Sequence, residues 1–129
     1  MDATNTNETT SLIAASKVNG TYVYNAAGDD IGSIYDVMVD KRSGKVAYAI
    51  MSFGGFLGMG SNYHPLPWSL LRYDPVKGGY VVNLDKRQLE GAPAYETGAT
   101  PDWGDRDYET GIHNYYHADP YWGSTWAGL

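Results

Sequence analysis

Two histidines and one glutamate have the clearest spacing for chemistry in this sequence. Glu109, His113 and His117 recur every four residues, which places them on one face of a predicted helix. Two imidazoles and a carboxylate can bind zinc or another divalent metal. The same spacing is typical of the solvated polar face of an amphipathic helix, opposite its apolar stripe. We expect the solvated face, and therefore no bound metal.

The other polar residues lack a spacing that is typical of catalysis. His64 lies between Tyr63 and Pro65, with no serine or aspartate at a recognisable catalytic spacing. Ser61 follows a glycine, but no Gly-x-Ser-x-Gly elbow surrounds it. The chain contains no cysteine, which excludes a cysteine nucleophile, a disulfide and a thiolate metal site. We therefore predict a protein that is not an enzyme and binds no cofactor.

A glycine-rich stretch at 54–60 contains Phe56, Leu57 and Met59. It lacks the Gly-x-Gly-x-x-Gly order of phosphate-binding loops, and no helix is predicted to follow it. In one interpretation the glycines permit positive φ angles while the apolar side chains pack as a plug. In the other, the loop presents these side chains to a protein partner. We predict that Phe56 and Leu57 are partly exposed and, with Met59, contact a partner.

Charge is distributed unevenly along the 129 residues, whose net charge is −6. Residues 11–89 contain eight lysines and arginines against six aspartates, whereas residues 90–129 contain seven acidic residues and only Arg106. Opposite charges favour packing of the C-terminal part against a body, its own or a partner's. The overall acidity disfavours nucleic-acid binding, because phosphate affinity comes mainly from lysine and arginine.

The size and the hydrophobic content indicate one globular domain. Hydrophobic residues make up 43% of the chain, which is enough for a core. Residues 1–10 are polar and do not resemble a secretory signal. The sequence has no run of about 18–20 apolar residues that could span a bilayer. We expect residues 1–10 to be disordered and the protein to be soluble and cytoplasmic, without membrane insertion.

Between residues 11 and 90 the pattern predicts a mainly β domain. Short runs of β-branched and aromatic residues alternate with turn residues. The predicted extended segments are 21–24, 34–40, 45–53, 63–68, 70–73 and 80–84. Two prolines confine the fourth of these segments to an edge or a bend. Because so small a sheet has two edges to protect, we predict closure into a small antiparallel barrel.

The arm, defined as residues 91–129, combines a predicted linker at 91–101 with a helix at about 105–117. Gly111 weakens this helix by about 1 kcal/mol, so the helix needs a surface on which to pack. We predict a homodimer in which the arm packs on a barrel surface, that of the second protomer. The alternative is packing on its own barrel, which would leave a monomer. The arm residues that we predict to contact a partner are Trp103, Tyr108, Ile112, Tyr115, Tyr116, Tyr121 and Trp122.

Several stretches together resemble the PRC-barrel domain. They are GDDIGSIYDVMVD at 28–40, GKVAYAI at 44–50, FGGFLGMG at 53–60 and PLPWSLL at 65–71. Tail residues at 89–93, 102–103, 115–116 and 120–122 are similar to the stand-alone bacterial branch, so the resemblance covers about residues 10–122. The family is named for the cytoplasmic barrel of the photosynthetic reaction-centre H subunit and includes the C-terminal domain of a ribosome maturation factor.

The resemblance implies a small SH3-like β-barrel that acts as a docking or assembly module. The chain shows neither the membrane helix of the H subunit nor the extra domain of the ribosome factor, so we carry over neither specific function. We expect a non-enzymatic module that self-associates and docks a protein of unknown identity. The alternative is an RNA- or ribosome-associated assembly factor. Its basic candidates, Lys41, Arg42 and Lys45, are better explained as a solvated turn.

Overall fold

The computed structural model describes residue 9, residues 11–53 and residues 62–123. Its elements are α1 (Ala15–Val18), β1 (Tyr22–Asn25), β2 (Asp30–Val39), β3 (Val46–Ser52), β4 (Asn62–Pro67), a 3-10 turn (Trp68–Leu70), β5 (Arg72–Asp74), β6 (Gly79–Val82), α2 (Lys86–Glu90), β7 (Tyr95–Glu96) and α3 (Arg106–Tyr116). The strands form one seven-stranded sheet in the order β5-β6-β1-β2-β3-β4-β7. The fold is therefore mainly β, as the sequence predicted.

One strand pair departs from the predicted antiparallel pattern. β1 pairs with β6 in parallel, whereas the other neighbouring strands are antiparallel. Hydrogen bonds between the described strands do not close the sheet, so β5 and β7 are its two ends. These end strands are three and two residues long. Such short edges expose little unpaired backbone, which protects an open sheet from pairing with other chains.

β2 begins four residues before the predicted segment and is irregular. Its pairing with β3 shifts between Ile34 and Asp36, so the side chains after the shift no longer follow a simple alternation. Tyr35 is consequently 53% exposed, although strict alternation along the strand would place it on the same face as the half-buried Val37. Gly32 of β2 lies close to β3, where an added Cβ would be 2.3 Å from the Ser52 carbonyl oxygen.

β3 lies in the interior of the sheet and is buried on both faces, as predicted from its apolar composition. All residues from Ala47 to Met51 are buried. β4 pairs with β3 from Tyr63 to Pro67 but with β7 only at Asn62 and Tyr63. Pro65 and Pro67 therefore lie where β4 has β3 as its only hydrogen-bonded neighbour, which suits residues without a backbone N–H.

The core joins the sheet to the short helices. Fully buried side chains include Val23, Ile34, Met51, Leu66 and Val82 from the strands, together with Leu89 from α2 and Ile112 from α3. α2 begins with a capping box, in which the Asp85 and Gln88 side chains each accept a hydrogen bond from the other residue's backbone N–H. In the described part of the chain, no helix is long and apolar enough to cross a membrane.

Candidate functional site

α3 is the helix of the described arm, and both of its ends have well-defined caps. The Asp105 side chain accepts a hydrogen bond from the Asp107 backbone N–H at 2.9 Å, which satisfies one of the free donors of the first turn. His117 adopts a left-handed conformation with φ of 55° and ends the helix. The helix therefore begins one residue after the start of the predicted range and ends one residue before its end.

The apolar stripe of α3 packs on the sheet of its own chain. Ile112 is completely buried and Tyr116 is 8% exposed, whereas Tyr108 is half-buried. Tyr115 is 37% exposed, and its hydroxyl donates to the Gln88 carbonyl oxygen of α2. The residues of α3 contact β4 and the Tyr48 side chain of β3, so the arm covers one face of these strands.

The predicted solvated face of α3 is also buried, so that prediction was wrong. Glu109 is 4% exposed and His113 is 3% exposed, whereas His117 is exposed at the end of the helix. The Tyr48 hydroxyl lies 3.1 Å from Glu109 Oε1 and 2.8 Å from His113 Nε2. Burial is tolerated because Tyr48 supplies a partner for each polar side chain.

The carboxylate of Glu109 has two further partners in the arm. The Tyr121 hydroxyl donates to Glu109 Oε1 at 2.6 Å, and Arg106 Nε lies 3.4 Å from Glu109 Oε2. The Arg106 guanidinium also stacks over the Trp122 ring at 3.9 Å. We call Tyr48, Glu109, His113 and Tyr121 the polar cluster. The Glu109 carboxylate is thus reached by Tyr121 and Arg106 of its own arm as well as by Tyr48 of β3.

Burial determines which groups of the polar cluster hold a proton. It raises the pKa of Tyr48 far above its usual value, and Glu109 raises it further. Burial also raises the pKa of Tyr121 to about 12, with a further contribution from Glu109. Burial lowers the pKa of His113, against the opposing effect of the Ala118 carbonyl oxygen. Both tyrosines therefore remain hydroxyl donors near neutral pH.

The proton positions follow from the donors and acceptors around His113. Its Nδ1 lies 3.2 Å from the Ala118 carbonyl oxygen, which can only accept, so Nδ1 holds the imidazole proton. Nε2 is then an acceptor facing the Tyr48 hydroxyl. Because Tyr48 has one hydroxyl proton, His113 and Glu109 compete for it. The cluster therefore joins the arm to β3 through a hydroxyl that Glu109 and His113 share.

A cleft beside the polar cluster has a volume of about 80 Å³. Its lining residues are Met38, Val39, Asp40, Ala47, Tyr48, Trp103, Glu109 and Tyr121. Sites for drug-sized ligands usually occupy about 300–1,000 Å³. The cleft is therefore too small for such a ligand, and its geometry suits packing of the arm better than binding of a substrate.

The other predicted contact residues divide into three groups. Trp103, Tyr108, Tyr121 and Trp122 are half-buried, and their rings contact one another or Tyr48 within the same chain. Ile112 and Tyr116 are buried where the arm packs on the sheet, and Tyr115 is partly exposed. Phe56, Leu57 and Met59 lie outside the described residues.

The sequence reasoning missed a surface formed by three tyrosines. Tyr35 of β2 stacks on Tyr63 of β4, with ring centroids 4.2 Å apart and an interplanar angle of 16°. Tyr63 meets Tyr95 of β7 edge-on at 5.7 Å. We call Tyr35, Tyr63 and Tyr95 the tyrosine surface. Only the strand pairing reveals it, because these residues are far apart in the sequence.

A carboxylate lies beside the tyrosine surface. Asp36 follows Tyr35 in β2 and is exposed. Burial raises the pKa of Tyr95 to about 12, and the neighbouring tyrosines and the Asp36 carboxylate raise it in the same direction. Asp36 thus acts electrostatically on Tyr95. The surface combines exposed aromatic area with negative charge.

Comparison with known proteins identifies the family of this chain. The model of the PRC-barrel domain matches residues 11–89, which is more than half of the chain. The matched region includes every strand from β1 to β6 and ends within α2. A search of curated proteins gave no match. The chain belongs to the PRC-barrel domain family.

Proposed function

We propose that this protein is a non-enzymatic interaction module of the bacterial cytoplasm that self-associates and docks a second protein. The family supports this proposal, because PRC-barrel domains mediate protein interactions. The observation that carries it furthest is the tyrosine surface, where Tyr35 is 53% exposed and stacks on the half-buried Tyr63 of the family domain. Tyrosine gives a large contact area at a low cost in side-chain entropy, and it is enriched at protein interfaces.

The fine architecture that we propose is an SH3-like barrel. The parallel pair of β1 and β6 brings the β5–β6 hairpin back beside the first strand. A bulge in the pairing of β1 with β2, and two more in that of β2 with β3, increase the bending of the sheet. Strong bending of a short sheet is what an SH3-like barrel requires.

Self-association is proposed to use the loop that carries Phe56 and Leu57. The arm already packs on its own sheet, so its buried stripe is not free for a second copy unless arms are exchanged. Sedimentation velocity of the full chain at about 50 µM should show a dimer. The double variant Phe56→Ser/Leu57→Ser should be a monomer with unchanged thermal stability.

The matched control is Val76→Ser, since Val76 is 94% exposed in the turn between β5 and β6. This variant should sediment like the natural protein. A natural protein that is monomeric at this concentration would rule out the dimer. A double variant that loses several kcal/mol of stability would show that Phe56 and Leu57 belong to the core.

A further inference from the structure

The tyrosine surface has an aromatic ring next to a carboxylate, and elsewhere in this protein these two kinds of group hold a cation. In the arm, the Arg106 guanidinium lies 3.4 Å from the Glu109 carboxylate and stacks over Trp122 at 3.9 Å. One planar cation is thus held by a carboxylate and an aromatic face. Near the turn after β1, Lys77 similarly lies over the Tyr24 ring at 4.9 Å.

At the tyrosine surface the carboxylate and the aromatic face are present without a cation. Tyr35 is 53% exposed, and the adjacent Asp36 is exposed. The Asp36 carboxylate accepts a hydrogen bond from the Val37 backbone N–H and acts electrostatically on Tyr95. Within residues 11–53 and 62–123, no lysine or arginine pairs with Asp36 or stacks on Tyr35.

Tyr35 lies beside a row of residues that are paired directly across neighbouring strands. A row of directly paired residues crosses four strands from Tyr22 through Ser33 and Ser52 to Tyr63. The two serines are short, whereas the tyrosine at each end of the row is long. Tyr22 is 58% exposed. Tyr35 stacks on Tyr63 at the other end of the row.

We propose that the tyrosine surface and Asp36 dock an arginine-containing segment of a partner protein. This inference rests on the proposed docking function and adds the chemistry of the partner. A guanidinium can stack on the exposed Tyr35 ring and pair with the Asp36 carboxylate at the same time. Arginine suits this site better than lysine, because its planar group stacks and forms two parallel hydrogen bonds to a carboxylate.

The charge of the site distinguishes this partner from a nucleic acid. Phosphates would be repelled by Asp36, and the aromatic faces carry negative electrostatic potential. Charge complementarity thus favours a basic peptide over RNA. It also predicts binding that weakens as the salt concentration rises, because both groups are near the solvent.

The test uses the full-length protein and a fluorescein-labelled peptide of alternating glycine and arginine, followed by fluorescence anisotropy at low salt. A matched peptide carries citrulline, which keeps the shape of arginine but is neutral. The arginine peptide should bind, and the citrulline peptide should bind at least about tenfold more weakly. Tyr35→Ala and Asp36→Asn should each weaken binding about two- to fivefold. Tyr35→Phe keeps the ring and should bind like the natural protein.

Two control variants separate a local effect from general electrostatics. Val76→Ala shortens an exposed apolar side chain in the turn between β5 and β6, and Asp107→Asn removes an exposed charge from α3. Neither should change the affinity. Equal binding of both peptides, no binding of the arginine peptide, or affinities unchanged in Tyr35→Ala and Asp36→Asn would overturn the inference.

The outcome for the proposed function is measured separately. If the dimer forms while the arginine peptide fails to bind, self-association stands and the partner chemistry is wrong. If a single-stranded oligonucleotide binds more tightly than the arginine peptide, the protein prefers nucleic acid to a basic peptide. That result would also reject the inference. Circular dichroism of each variant establishes that it is folded before binding is measured.

Discussion

Tyr48 is the residue that makes burial of the polar side of α3 possible. Its hydroxyl lies 2.8 Å from His113 Nε2 and 3.1 Å from Glu109 Oε1. Without it the buried Nε2 of His113 would lose its donor, and Glu109 would keep only Tyr121 and Arg106. An unpaired buried polar group costs more than a hydrogen bond contributes. The helix can therefore bury two opposite faces, one apolar and one polar, against the same sheet and its following turn.

Replacing Tyr48 with phenylalanine should lower the free energy of unfolding by about 1–3 kcal/mol, because it removes the one buried hydroxyl donor that Glu109 and His113 share. The ring and its packing against Trp103 are kept. Urea unfolding measures the loss. Tyr22→Phe is the control, because Tyr22 is 58% exposed and should change stability by less than about 0.5 kcal/mol. Equal effects in the two variants would contradict a special role for the Tyr48 hydroxyl.

Acid should destabilise the protein through two buried histidines. Burial lowers the pKa of His64 and of His113. Below about pH 6.5 the unfolded chain therefore binds more protons than the folded chain. The free energy of unfolding is then highest above that pH and falls as the pH decreases toward the folded-state pKa values. Urea unfolding at neutral pH and at about pH 5 measures the difference.

His64 offers a sharp variant for this acid effect. Its ring packs edge-on against Phe53 at 5.0 Å, and neither ring nitrogen has a hydrogen-bond partner in the described structure. His64→Leu should reduce the loss of stability on acidification. His117→Gln is the matched control at an exposed position. A pH dependence that is identical in His64→Leu and the natural protein would assign the effect to other groups.

Among the elements, α3 combines a weak sequence with a strong docking surface. Gly111 lies within the helix, and a Cβ added there would have no atom within 4 Å. Its low helix propensity is offset by burial of Ile112 and by the polar cluster. The element forms because the sheet supplies contacts that the isolated segment lacks.

Gly111→Ala should raise the free energy of unfolding by about 0.4–1 kcal/mol, since it removes backbone freedom from the unfolded chain without a clash. Thermal unfolding measures the change. Gly32→Ala is the opposite control, because its Cβ would be 2.3 Å from the Ser52 carbonyl oxygen. That variant should be clearly destabilised. A destabilised Gly111→Ala would mean that the helix is not packed as described.

Local pattern could predict some elements and not others. The segment at 46–51 is apolar at every position, so its burial on both faces followed from composition. The buried state of Glu109 did not, because its partner Tyr48 is 61 residues away. β7 has two residues and no pattern of its own, so the sequence predicts a linker at this position. The exposed position of Tyr35 depends on a shift in strand pairing that single-sequence alternation does not contain.

For the molecule as a whole, the docked arm and the sheet should unfold as one unit. β3 is covered on one face by the core and is joined on the other to α3 through Tyr48. Hydrogen exchange should therefore give similar opening free energies for the amides of β3 and α3. Ile112→Asp should increase exchange in both. An effect restricted to α3 would show that the arm opens independently of the sheet.

The parallel pairing of β1 with β6 has a consequence for synthesis of the chain on the ribosome. Tyr22–Asn25 is made early, but its neighbour Gly79–Val82 follows more than fifty residues later. Until then, one side of β1 has no strand to pair with, while β2 already occupies the other. An exposed strand edge in a nascent chain favours association with other chains. The rate at which residues 26–82 emerge therefore sets how long that edge stays open.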